Sequence, residues 1–93
     1  MFKFTVNKEK TDANFEVSEC FIGDDCRFTL IKGKKSGLMS VFVRRDVYWD
    51  NHDRLGYIEI WDHSPTNVSE AKRIASKLYD IVLGYKWVTP WKE

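Results

Sequence analysis

Apolar and polar residues alternate with a period of two along most of the first sixty positions, and then switch to a period near 3.6 before the chain ends. Phe2, Phe4 and Val6 share one parity and Lys3, Thr5 and Asn7 the other, the signature of a half-buried strand. The polar run Lys8 to Asn14 reads as a turn. A second strand starts at Phe15, with Phe15, Val17 and Phe21 on one parity, and Gly23-Asp24-Asp25 punctuates it. A third strand runs from Cys26 to about Lys32 with Phe28 and Leu30 on one face, and Lys32-Gly33-Lys34-Lys35-Ser36-Gly37 supplies the next turn.

The fourth strand, Leu38 to about Trp49, is the longest. Val41, Val43, Val47 and Trp49 lie on one face, interrupted by Arg45, and Phe42, Arg44, Asp46 and Tyr48 on the other. Asp50-Asn51-His52-Asp53 turns the chain into a fifth strand, Leu55 to Trp61, in which Ile58 and Ile60 oppose Tyr57, Glu59 and Trp61.

A helix is the best-signposted element. Pro65 bars helix just before it, Asn67 is a strong N-cap, and Glu70 stands three residues on, where a capping box places its acid. Ala71, Ile74, Ala75, Leu78, Val82 and Tyr85 recur at spacings of three and four, opposite Lys72, Arg73, Ser76, Lys77 and Asp80. Gly84 is the expected left-handed stop. From Val68 to Leu83 such a helix is about 24 Å long. Tyr85 to Thr89 is a candidate short sixth strand, ended by Pro90.

The expected fold is therefore α+β: an antiparallel sheet of about five strands packed on one C-terminal amphipathic helix, with residues 1–93 a single domain. One helix covers one sheet face, and it is expected to take the aliphatic one. The aromatic face, which carries Phe42, Arg44, Tyr48, Tyr57, Glu59 and Trp61, is left as a candidate protein-binding surface. The alternative is that Trp87, Trp91 and the N-terminal strand fold over these rings.

Composition adds to this in two ways. Aromatic residues make up 15% of the chain, which suits both a small core and a binding surface. Net charge is +1, from 15 basic and 14 acidic residues, so neither a general nucleic-acid binder nor a DNA mimic is indicated by charge alone. A local basic group, Lys32, Lys34, Lys35, Arg44 and Arg45, beside aromatic residues keeps nucleic-acid binding as the second reading.

Candidate chemistry is sparse. Trp49-Asp50-Asn51-His52-Asp53 and Trp61-Asp62-His63 contain metal-ligand residue types, yet they bracket a strand of about 23 Å at 3.3 Å per residue. Their Asp, Asn and Ser residues read better as turn formers. No nucleophile elbow, phosphate loop or cofactor motif is present, so the chain is read as non-enzymatic and without cofactor. Cys20 and Cys26 flank a turn and read as two reduced thiols, with a cross-hairpin disulfide the alternative. Met1 to Val6 alternates like a strand rather than a leader, and no apolar run approaches a membrane span, so the cytoplasm is expected.

The segment Thr66-Asn67-Val68-Ser69-Glu70-Ala71-Lys72-Arg73-Ile74-Ala75-Ser76-Lys77, followed by Gly84-Tyr85-Lys86-Trp87-Val88, is similar to the helix and closing strand of small phage-encoded inhibitor proteins. These include some anti-CRISPR proteins and some phage inhibitors of host enzymes, in which a Ser-x-Ala-Lys-type helix packs on a small antiparallel sheet. The resemblance spans the last quarter of the chain and carries no functional residues across. It implies a compact, aromatic-rich accessory protein of a phage or mobile element that binds and inhibits a host protein. Many such proteins are strongly acidic, and the neutral charge of this chain departs from that pattern.

Overall fold

A computed structural model describes residues 3–48 and 54–84, the side chains of residues 54 and 55 excepted. Alternating β-branched and aromatic residues build five strands: β1 (Thr5–Val6), β2 (Phe15–Ile22), β3 (Cys26–Gly33), β4 (Met39–Tyr48) and β5 (Arg54–Asp62). They form one sheet in the order β1-β2-β3-β4-β5, and every neighbouring pair is antiparallel. Spatial order thus follows chain order, as in a meander. Gly23 and Gly37 occupy positive φ in the β2–β3 and β3–β4 turns, a conformation that costs other L-residues about 1 kcal/mol or more. A register shift between Val47 and Tyr48 marks the far end of the β4–β5 pair.

The helix, α1 (Val68–Leu83), has the bounds its periodicity predicts. Asn67 caps it: its side-chain oxygen accepts a hydrogen bond from the Glu70 backbone N–H at 2.8 Å. The Glu70 carboxylate reaches back to the N–H of Thr66 at 3.2 Å, one residue earlier than a standard capping box. Asn67→Ala is expected to cost about 1 kcal/mol, read as a lowered thermal midpoint with an unchanged helical spectrum after cooling. The C-terminal end differs from expectation. Gly84 has φ −71° and ψ −19°, in the right-handed region, and its N–H donates to the Asp80 and Ile81 carbonyls at 3.3 and 3.1 Å. The helix closes by tightening its own last turn, not by a left-handed residue.

Helix α1 buries Ala71, Ile74, Ala75, Leu78 and Val82 against the sheet. Their partners are Cys26, Phe28 and Leu30 of β3 and Met39, Val41 and Val43 of β4, with Ile58 and Ile60 of β5 packed at the side. The helix therefore covers the aliphatic face, lying over β4 and reaching β5. It is centred away from the β1 edge, where Val6 is exposed although its parity matches the core. Arg45 shares the helix side and is used there: its guanidinium donates to the Val82 carbonyl at 2.8 Å and lies 3.9 Å from the Asp25 carboxylate.

Both cysteines are free thiols on this same side, with Cys20 opposite Phe28 and Cys26 opposite Ile22 in the ladder. Burial, with the Asp25 carboxylate nearby, pushes the Cys26 thiol up and away from reactive thiolate. No helix among the described residues is long and apolar enough to cross a membrane. The expected sixth strand, Trp87, Trp91 and the segment Trp49 to Asp53 lie outside the described residues.

Candidate functional site, the open sheet face

In antiparallel strands the residues opposite one another point to the same side, so the register defines what the second face presents. One cross-strand row runs Thr5–Glu19–Thr29–Phe42–Trp61 across all five strands. The next row contains Phe21, Arg27, Arg44 and Glu59, and Asp46 pairs with Tyr57 beyond it. No described helix covers this face.

The aromatic side chains on it are organised. Phe42 and Trp61 stack with centroids 4.2 Å apart and an interplanar angle of 28°. His63 continues the stack on Trp61 at 5.6 Å and 27°. Ser40 Oγ lies 2.7 Å from His63 Nδ1 and so holds the imidazole in its place on the stack. Two residues along β4, the Arg44 guanidinium sits over the Tyr57 ring, 3.9 Å from its centroid. Trp61 and Tyr57 keep 44% and 50% of their surface exposed, whereas Phe42 is buried and serves as the base on which Trp61 rests.

Toward β2 the same face is polar and tightly held. Glu19 is only 6% exposed; it accepts from the Asn7 side-chain amide at 2.7 Å and from the Lys10 ammonium at 2.9 Å, with Arg27 at 3.8 Å. Burial alone would raise its carboxyl, but the Asn7 bond and the two cations outweigh burial and hold it below its ordinary value. Thr11 ties the preceding loop to β2, with its hydroxyl accepting the Val17 N–H at 3.0 Å.

Of the six residues that the strand parities single out, Phe42, Arg44, Tyr57, Glu59 and Trp61 fall in one contiguous block, and Tyr48 extends the same parity of β4. The five cations of the nucleic-acid reading do not converge. Arg44 is on the open face and Arg45 on the helix face, engaged by Val82 and Asp25. Lys34 and Lys35 occupy the turn at the opposite end of β4, about 17 Å or more from Arg44 at 3.3–3.4 Å per residue. Lys32 pairs with Met39, on the helix parity.

The sequence pattern alone does not place His63 and Ser40 with the aromatic stack. His63 shares the parity of Trp61, but pairing with Ser40 needs the β4–β5 register. An acid to orient the imidazole, as a Ser–His nucleophile requires, is missing from the described contacts: Asp62 accepts from the Ser64 N–H and hydroxyl instead. Those bonds lower the Asp62 carboxyl and make Asp62-His63-Ser64 the turn former its composition suggests. Among the described residues no group of three His, Cys, Asp or Glu side chains is placed to hold a metal ion. Compared with protein-family models, with curated proteins and with solved structures, the chain matches none.

Proposed function

We propose that this protein is a non-enzymatic binding module that recognises another protein through the open sheet face, with Tyr57 and Trp61 as its anchors and Arg44 and Glu59 beside them. The observation that carries this reading is the ordered ring array on a face without a helix: large amphipathic rings, half exposed yet fixed by stacking and by Arg44, lose little conformational freedom on binding. In line with the resemblance of its C-terminal part to phage-encoded inhibitors, the partner is a host protein whose action the binding blocks. Two free thiols suit a reducing compartment, so the reading includes the cytoplasm. Nucleic-acid binding is the less favoured alternative, because the basic residues are divided between two faces and one distant turn.

The test is capture of a partner from host-cell lysate on the immobilised chain, followed by a binding isotherm with the purified partner. Combined Tyr57→Ala and Trp61→Ala is expected to weaken binding by about tenfold or more, while Lys34→Gln with Lys35→Gln changes it little. A partner bound equally by the aromatic double variant sinks the proposal. A captured nucleic acid whose affinity falls steeply with salt and depends on the lysines establishes the alternative.

A further inference from the structure

The two edges of the sheet are finished differently. β1 is two residues long, and so short an edge strand offers little backbone for another chain to pair with. β5 forms the opposite edge with nine residues, contains neither proline nor lysine, and pairs regularly with β4 from Gly56 to Asp62. The hydrogen-bond pattern fixes which of its backbone groups face outward. The Asp46 N–H donates to the Asp25 carbonyl and the Gly33 N–H to the Leu38 carbonyl, both at 2.8 Å, so even-numbered positions on the β4 side bond to β3. Odd-numbered positions of β4 then bond to Gly56, Ile58, Ile60 and Asp62 of β5, because bonded and non-bonded pairs alternate along an antiparallel ladder. Tyr57, Glu59 and Trp61 turn their N–H and C=O groups away from the sheet, and at Glu59 and Trp61 no described strand meets them.

Side chains on both faces of this edge suit an added strand. On the open face Tyr57 and Trp61 are half exposed, and Glu59 stands between them, exposed and in no ion pair among the described residues. On the helix face Ile58 and Ile60 are only partly buried. Ile81 of α1 also keeps 49% of its surface exposed. It lies on the β5 flank of the helix, about 200° round from Tyr79, which lines a groove on the β2 flank with Cys20 and Ile22.

We propose that the outer edge of β5 receives an extended segment of the partner protein as an added antiparallel strand, with a lysine or arginine opposite Glu59 and apolar residues on either side of it. This rests on the protein-binding reading above and names what the partner must present. The backbone bonds supply affinity that is independent of sequence, and the alternating side chains supply selectivity. Charge selects the centre of the segment, since an opposite charge across from Glu59 stabilises the pair and a like charge destabilises it. The same rule disfavours a second copy as the occupant: full antiparallel overlap of the regular stretch from Gly56 to Asp62 sets Glu59 against Glu59.

The full-length chain, labelled with ¹⁵N, is titrated with the heptapeptide acetyl-Thr-Leu-Val-Lys-Val-Leu-Thr-amide while the backbone amide signals of Glu59 and Trp61 are followed. The expected result is a saturable shift of both signals, with slowed hydrogen exchange at both amides. Exchanging the peptide's lysine for glutamate weakens binding about tenfold. Glu59→Lys reverses that preference, which also shows the variant to be folded. N-methyl groups on the lysine and the leucines, whose N–H groups face β5, abolish binding, whereas N-methyl groups on the valines, whose N–H groups face solvent, do not. Equal binding of the two N-methylated peptides, or of the lysine and glutamate peptides, overturns the proposal. So does slow exchange at Glu59 and Trp61 in the free chain. Independent of protein concentration, it assigns the edge to this chain's own residues; rising with concentration, it assigns the edge to a second copy. With the purified partner, binding lost in Tyr57→Ala/Trp61→Ala but unchanged in Glu59→Lys and not competed by the heptapeptide overturns the edge site and leaves the protein-binding reading intact. Binding kept in all of these variants overturns both.

Discussion

Replacing Phe28 with alanine is expected to destabilise the fold by about 3–5 kcal/mol, the loss seen when a fully buried ring is truncated and its space only partly refilled. Phe28 is 0% exposed at the centre of β3, between Cys20 and Val43 in the ladder. Tyr79 of α1 meets it edge-on, with centroids 5.8 Å apart and planes at 64°. Among the described residues it is the only ring of the largest fully buried side chains, the others being Val41, Val43 and Val82. The valines are stiff and cannot swing into the vacated space. A domain of this size holds about 5–10 kcal/mol in total, so the variant should be largely unfolded well below the wild-type denaturant midpoint. Equilibrium denaturation reads the change directly, with Phe28→Leu as the volume-conserving control at about 1.5 kcal/mol or less. A loss below about 1.5 kcal/mol for the alanine variant would mean that the β3–α1 contact is not where the stability of the core resides.

Removing the charge of Glu19 is the second large effect, and it carries a pH signature. Glu19→Gln leaves Lys10 and Arg27 without their counter-charge on a face where Arg27 already confronts Arg44. Hydrogen bonds to a charged group contribute about 1.5–3 kcal/mol. Lys10 is half exposed and Arg27 about a quarter, so solvent screening reduces the expected loss to about 1–2 kcal/mol. Because the folded-state carboxyl is held below its ordinary value, its stabilising contribution is complete above the unfolded carboxylate range near about pH 4.3. It disappears as pH falls through the lower, folded value. Asp12, bonded by the Asn14 and Phe15 N–H groups, and Asp62, bonded by Ser64, are depressed in the same sense and add to the acid sensitivity. Unfolding free energies measured at about pH 7 and about pH 3 should therefore converge in Glu19→Gln relative to wild type. Parallel losses in the two proteins would show that the Glu19 network contributes nothing to acid stability.

Much of the architecture is legible residue by residue. The opposition of Val41 and Val43 to Phe42 and Arg44, and of Ile58 and Ile60 to Tyr57 and Trp61, is read from parity, because successive strand residues point to opposite faces whatever the strand is paired with. Asn67 and the three-four spacing from Ala71 to Val82 define α1 by local hydrogen bonding and helix pitch alone. Gly84 misleads, since glycine permits a left-handed residue without requiring one, and the last turn finds its bonds within the right-handed region.

Distances across strands are a different matter. Arg27 and Arg44 are 17 positions apart, Glu19 draws in Asn7 and Lys10 from the preceding loop, and Ser40 reaches His63 from another strand. A register slip of one residue would have sent each of these side chains to the other face. By itself, the amino-acid sequence determined which residues share a face and where the helix begins, because both follow from the repeat of a single backbone element. Only the tertiary structure decided which charges confront each other on the face the helix leaves open, because register is set by contacts between elements far apart in the chain.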